Sequence, residues 1–136
     1  MARFFLLAFF HILTFVKIAY TQNFNGTLTT AILNGWGFYS NATAVNIENK
    51  GIIAIQDNTF NGFSNLKQLL MGNNKLSSIG GNTFSGLTNL ETLDLVNNTV
   101  SSIGQNCFQN LEKLLVLDLT NNALRTVNSS IFTGRC

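Results

Sequence analysis

The amino-acid sequence predicts an α/β solenoid, a curved stack of coils with parallel strands on the concave face and short helical turns or loops on the convex face. Three observations carry this expectation. Phe60, Phe84, Phe108 and Phe132 stand 24 residues apart. Aliphatic columns keep the same interval: Val45, Leu69, Leu93 and Leu117; Ile47, Met71, Leu95 and Leu119; Ile52, Leu76, Val100 and Leu124; Ile55, Ile79, Ile103 and Val127. A polar column of Asn74, Asn98 and Asn122 runs between them. A fixed period of this length marks a stack of identical supersecondary units.

Residues 1–21 read as a signal peptide, with an uncleaved anchor as the alternative. Arg3 precedes an apolar run of thirteen residues, Phe4 to Val16, interrupted by His11. A secretory core needs roughly 7–15 apolar residues, whereas a membrane-spanning helix needs about 20. Ala19 and Thr21 occupy the small-residue positions of a cleavage site before Gln22. Arg3 and Lys17 lie in this leader, so six Lys/Arg face six Asp/Glu in the remainder. A mature chain near neutrality has no long-range pull on phosphate backbones, so no nucleic acid is expected as a partner. His11, the sole histidine, also leaves with the leader. What remains cannot form a Ser-His-Asp or Cys-His site or a histidine zinc site; no cofactor and no metal are expected, and the chain is not expected to be an enzyme.

Residues 22–44 read as an N-terminal cap or degenerate repeat. Phe24, Leu28, Ile32, Leu33, Trp36, Phe38 and Tyr39 supply enough apolar surface to cover the first coil. Gly35-Trp36-Gly37-Phe38 is expected to be a turn carrying an aromatic plug rather than a phosphate loop, which needs more glycines and a strand–helix setting.

Residues 45–136 hold three complete repeats and one incomplete. Leu66-x-x-Leu69-x-Met71-x-x-Asn74-x-Leu76 recurs as Leu90-x-x-Leu93-x-Leu95-x-x-Asn98-x-Val100 and Leu114-x-x-Leu117-x-Leu119-x-x-Asn122-x-Leu124. This pattern resembles the leucine-rich repeat family. The 24-residue length is similar to the repeats of secreted and cell-surface ectodomains, which implies recognition, adhesion or immune sensing. Relatives of that kind usually carry a cysteine-paired cap, which residues 22–44 lack. The alternation of Leu93 and Leu95 with Thr92, Asp94 and Val96 is that of a strand with one face inward. No coil can bury its leucines alone, so each needs neighbours. The asparagine column suits a buried turn whose main-chain groups need a side chain offering both donor and acceptor.

The first coil departs from the pattern. Lys50 occupies the asparagine column with Asn49 one place early, and Ala42 replaces a leucine. At the other end Arg135 falls in the column of Phe63, Leu87 and Leu111, and the fourth coil stops at Cys136. Truncation of a longer ectodomain is the favoured explanation; self-association through that end, a divergent last repeat and a misread exon are the others.

The outward strand positions are the expected contact surface for a protein or glycan ligand: Asn46, Glu48, Gln68, Leu70, Thr92, Asp94, Val96, Val116, Asp118 and Thr120. Inward leucines set the backbone, so these positions are expected to be free to vary. Asp94 and Asp118, one period apart, are expected about 5 Å from each other, each raising the cost of ionising its neighbour. Such a pair resembles the carboxylates of retaining glycosidases, but without a cleft an ordinary solvated acidic pair is the preferred reading. Cys107 shares a column with Thr59, Thr83 and Ile131, so a small buried side chain is expected. A disulfide to Cys136 stays open. Four glycosylation sequons begin at Asn25, Asn41, Asn97 and Asn128. Together these features indicate a protein secreted or held at the outer face of the plasma membrane, with a structural or self-associating extracellular protein as the alternative to a binding module.

Overall fold

The computed structural model describes residues 24–126 and 131. It is a solenoid of parallel strands, as expected. The leader at 1–21, Val127, Asn128, Phe132, Arg135 and Cys136 lie outside the described residues.

Four three-residue strands form the concave sheet: β2 (Ala44–Asn46), β4 (Gln68–Leu70), β6 (Thr92–Asp94) and β8 (Val116–Asp118). They lie side by side in chain order, all parallel. Every register step is 24 residues: Val45 pairs with Leu69, Leu69 with Leu93, and Leu93 with Leu117. The sequence period and the sheet register are therefore one quantity. Adjacent parallel strands need a long crossover, and here each crossover is the rest of a coil.

Those crossovers contain short strands that the periodicity did not announce. β1 (Thr27–Leu28) pairs with β3 (Ala54–Ile55), and β5 (Ser78–Ile79) pairs with β7 (Ser102–Ile103). Beyond them the convex segments are turns. Among the described residues the one helix is α1 (Thr30–Gly35), ahead of the first coil, with Thr29 Oγ1 accepting from the Ile32 amide at 3.3 Å as its N-cap.

The core is a set of columns. Phe60, Phe84 and Phe108 stack with centroids 6.2 and 6.1 Å apart, and Phe63 meets Phe60 edge-on. Leu69, Leu93, Met71 and Leu95 are fully buried between coils. In the fourth coil Leu117, Leu119 and Leu124 are only half-buried. At the other end Leu28, Leu33 and Trp36 are buried. Residues 24–43 are tied to the first coil by Ile53 N donating to Gly26 O, Gln56 N to Leu28 O, and Thr30 Oγ1 to Thr59 O. Trp36 sits edge-on to Phe24 at 5.4 Å, so the Gly-Trp-Gly turn does place its aromatic ring in the core.

The asparagine column forms the hydrogen-bonded ladder that its spacing suggested, with a direction that spacing alone does not reveal. Asn74 Oδ1 accepts from Lys50 N and Ile52 N, and its Nδ2 donates to Ile47 O and Met71 O. Asn98 repeats this, accepting from Leu76 N and donating to Met71 O and Leu95 O. Asn122 accepts from Val100 N and donates to Leu95 O and Leu119 O. Each amide thus serves its own coil and the coil before it. Lys50 does not leave the turn of the first coil open, because Asn74 completes it. The Lys50 ammonium instead lies 5.9 Å from the Trp36 ring centroid.

Asn49 is likewise not a displaced ladder residue. It belongs to a second column with Asn73, Asn97 and Asn121, whose φ angles are 57, 56, 53 and 56°. Asparagine tolerates this left-handed backbone better than other residues with a Cβ, which explains why one type fills the column.

Candidate functional site

The concave sheet presents three outward columns. The first holds Ala44, Gln68, Thr92 and Val116, of which Val116 is 51% exposed. The second holds Asn46, Leu70, Asp94 and Asp118. The third, just past the strands, holds Glu48, Gly72, Val96 and Thr120. The ten expected contact residues all lie on this one face or at its rim, brought together by the strand register.

The second column is less free than expected. Asp94 Oδ1 accepts from Val96 N at 2.8 Å, Asp118 Oδ1 from Thr120 N at 2.8 Å, and Asn46 Oδ1 from Glu48 N at 3.1 Å. Each side chain closes an Asx-type turn two residues on, where the chain leaves the strand. Leu70 cannot do so, and its coil carries Gly72 two residues later. A Cβ on Gly72 would come within 2.9 Å of Val96 Cγ1 and 3.2 Å of Glu48 Oε1. Glu48 and Val96 therefore close over Gly72 from both sides, and Asn46 Nδ2 holds Glu48 Oε2 at 3.0 Å. Exit-turn chemistry, not ligand choice alone, limits which residues fit these positions.

Asp94 and Asp118 do occupy paired positions on adjacent strands. The expected upward pressure on ionisation does not govern Asp118. Hydrogen bonds from the Thr120 side chain and then its backbone amide hold that carboxyl below the ordinary carboxylate value, outweighing the opposing desolvation.

A fourth column escaped the sequence reading because it precedes the strands: Thr43, Lys67, Glu91 and Leu115. Lys67 Nζ and Glu91 Oε1 form an exposed ion pair at 3.1 Å, and the next position is Leu115, 81% exposed.

Cys107 is buried, as its column suggested, with its thiol free among the described residues. Burial, then the charge of Asp57, pushes its pKa up to about 12, which removes the reactive thiolate at neutral pH. In the same column Thr59 Oγ1 donates to Gln56 O at 2.6 Å, while the Thr83 hydroxyl is buried without a partner among the described residues.

Of the sequons, Asn25 and Asn41 are exposed and outside the ladder. Asn97 is exposed too, but its Nδ2 donates to Asn73 Oδ1 at 2.9 Å and its Oδ1 accepts from Asn121 Nδ2 at 2.8 Å. Among the described residues no group of three or more His, Cys, Asp or Glu gathers as a metal site, and no helix is long and apolar enough to cross a membrane.

A family model described as the BspA type leucine rich repeat region matches residues 34–136 in six copies. The chain belongs to the leucine-rich repeat family. Among solved structures, this leucine-rich repeat chain is similar to one in the structure of the Toll–Spatzle complex, a molecular hub in Drosophila development and innate immunity. The likeness has 28% identity and a TM-score of 0.62, and covers 77% of this chain but 14% of that one. No curated protein matches. The chain thus spans about a seventh of the length of the solved chain it resembles.

Proposed function

We propose that this leucine-rich repeat chain is a secreted or cell-surface binding module that recognises a protein or glycan ligand through its concave strand face. The observation that carries the reading is the sheet itself. Four in-register strands present Gln68, Leu70, Thr92, Asp94, Val116 and Asp118 on one surface, backed by buried leucines. Such a rigid, extended surface suits macromolecular recognition better than chemistry. The likeness to a chain of the Toll–Spatzle complex supports a protein ligand and an extracellular setting. The proposal includes a leader at 1–21, a cap at 22–44 whose Leu33 and Trp36 cover the first coil, and no catalytic role. It also includes glycans at one or more of Asn25, Asn41, Asn97 and Asn128. The same face would serve within a longer ectodomain.

The test is expression in secretory cells, followed by screening the recovered protein against panels of purified extracellular proteins and glycans. The expected result is a glycosidase-sensitive mass in the medium and a ligand whose binding is lost in Thr92→Arg but kept in Ser85→Arg on the convex side. A ligand indifferent to Thr92→Arg refutes the strand-face reading, and an unglycosylated intracellular chain refutes the compartment.

A further inference from the structure

Within the secretory setting proposed above, on which this reading rests, we infer that the sequon Asn97-Asn98-Thr99 is a folding-gated glycosylation site. It can take an N-linked glycan until the fourth coil docks, and the docked solenoid closes it to the transferase.

The transfer chemistry makes two demands on a sequon. The asparagine Nδ2 attacks the anomeric carbon of a lipid diphosphate-linked oligosaccharide: an N–C bond forms, the C–O bond to the diphosphate breaks, and Nδ2 gives up a proton to a base. For that attack the nitrogen lone pair must leave its conjugation with the carbonyl, and the hydroxyl two residues on must be free for the enzyme. Both demands go unmet in the folded chain. Asn97 Nδ2 donates to Asn73 Oδ1 at 2.9 Å, and Asn97 Oδ1 accepts from Asn121 Nδ2 at 2.8 Å. Accepting on one side and donating on the other polarises the carboxamide along the row, which strengthens its C–N conjugation and withdraws the lone pair. The Thr99 hydroxyl donates to Leu76 O at 2.9 Å. Asn98, between them, is the buried rung of the inner ladder.

The backbone is pinned on both sides as well. Asn97 N donates to Thr120 O in the fourth coil, and Thr99 N donates to Leu76 O in the second. Drawing this sequon into an enzyme cleft means parting the third coil from both neighbours at once, although the Asn97 side chain is exposed. The sequon at Asn41 differs. Asn41 and Thr43 are exposed in the turn before β2, and no bond between described residues holds the Asn41 carboxamide or the Thr43 hydroxyl.

A purified oligosaccharyltransferase with a dolichyl diphosphate-linked oligosaccharide tests this on the unglycosylated full chain, with each sequon's occupancy followed by peptide mass spectrometry. A peptide of residues 93–103 is the unfolded reference. The peptide should be modified at Asn97, and the folded chain about a hundredfold more slowly there, because the side-chain bonds of Asn97 and Thr99 must open first. Asn73→Gly together with Asn121→Gly removes both partners of the Asn97 carboxamide, and glycine accepts the left-handed backbone at these exposed positions. With the fold intact by circular dichroism, this double variant should be modified at Asn97 about tenfold faster than the folded wild type. Retention of the chain inside secretory cells would refute the compartment alone, since the folded-against-unfolded comparison uses purified protein. Modification of Asn97 in the folded wild type at the peptide's rate overturns the proposal, as do an unmodified peptide and a double variant no faster than wild type.

Discussion

Replacing Asn98 with leucine tests the ladder at its most enclosed rung. Asn98 is 6% exposed, and its carboxamide accepts from Leu76 N at 3.0 Å and donates to Met71 O and Leu95 O at 3.1 Å each. The two carbonyls are not orphaned by the change. Met71 O keeps the bond from Asn74 Nδ2 at 2.8 Å, and Leu95 O keeps that from Asn122 Nδ2 at 2.9 Å. Leu76 N has no such reserve and is left buried and unpaired. An orphaned amide costs about 1–3 kcal/mol and each lost secondary bond about 0.5 kcal/mol, so Asn98→Leu should destabilise by about 2–4 kcal/mol. Asn122→Leu makes the same deletion where the side chain is half-buried and water can reach the freed groups, so about 1 kcal/mol is expected. Urea unfolding followed by far-ultraviolet circular dichroism, with matched m-values, measures the difference. Equal losses at the two positions, or a loss below about 0.5 kcal/mol at Asn98, would refute the shared-carbonyl account.

Two further predictions concern one buried column. Thr83→Val should stabilise by roughly 1 kcal/mol because it removes a buried hydroxyl that has no partner among the described residues, whereas Thr59→Val loses the hydrogen bond to Gln56 O and should destabilise by about the same amount; thermal unfolding of the two variants reads the opposite signs. The Cys107 thiol, pushed up to about 12 from 9.0, keeps its proton when the unfolded chain has lost it, so its contribution to stability is intact below pH 9 and falls as pH rises toward 12. The stability of wild type relative to Cys107→Ala should therefore fall by up to about 1.4 kcal/mol per pH unit in that window, and native Cys107 should resist alkylation at pH 8 until the chain is unfolded.

Much of this architecture is legible from spacing because a parallel stack turns a sequence period directly into a sheet register. Leu69, Leu93 and Leu117 could only fall in one column, and the asparagine column announced a turn that needed both donor and acceptor. What escaped notice depended on direction and on backbone shape. That each ladder amide serves the preceding coil is a three-dimensional fact, so Lys50 read as a departure from the pattern although Asn74 completes the turn of its coil. The column of Asn49, Asn73, Asn97 and Asn121 was visible as four identical residues, and their type was itself the signal of left-handed backbone. The outward positions share one face, as the alternation implied, but they are less free than expected: Asp94 and Asp118 close turns through Val96 N and Thr120 N, and the fold makes a claim on them before any ligand does. Leu115 was missed because attention to strands stopped one residue short of it.

The one-way sense of the amide ladder has a consequence for biosynthesis. A ribosome delivers the coils from the amino end, yet the loop of each coil is completed by an amide 22 to 24 residues downstream. A nascent coil therefore waits, half-closed, until its successor has cleared the exit tunnel, and closure travels along the chain one period behind emergence.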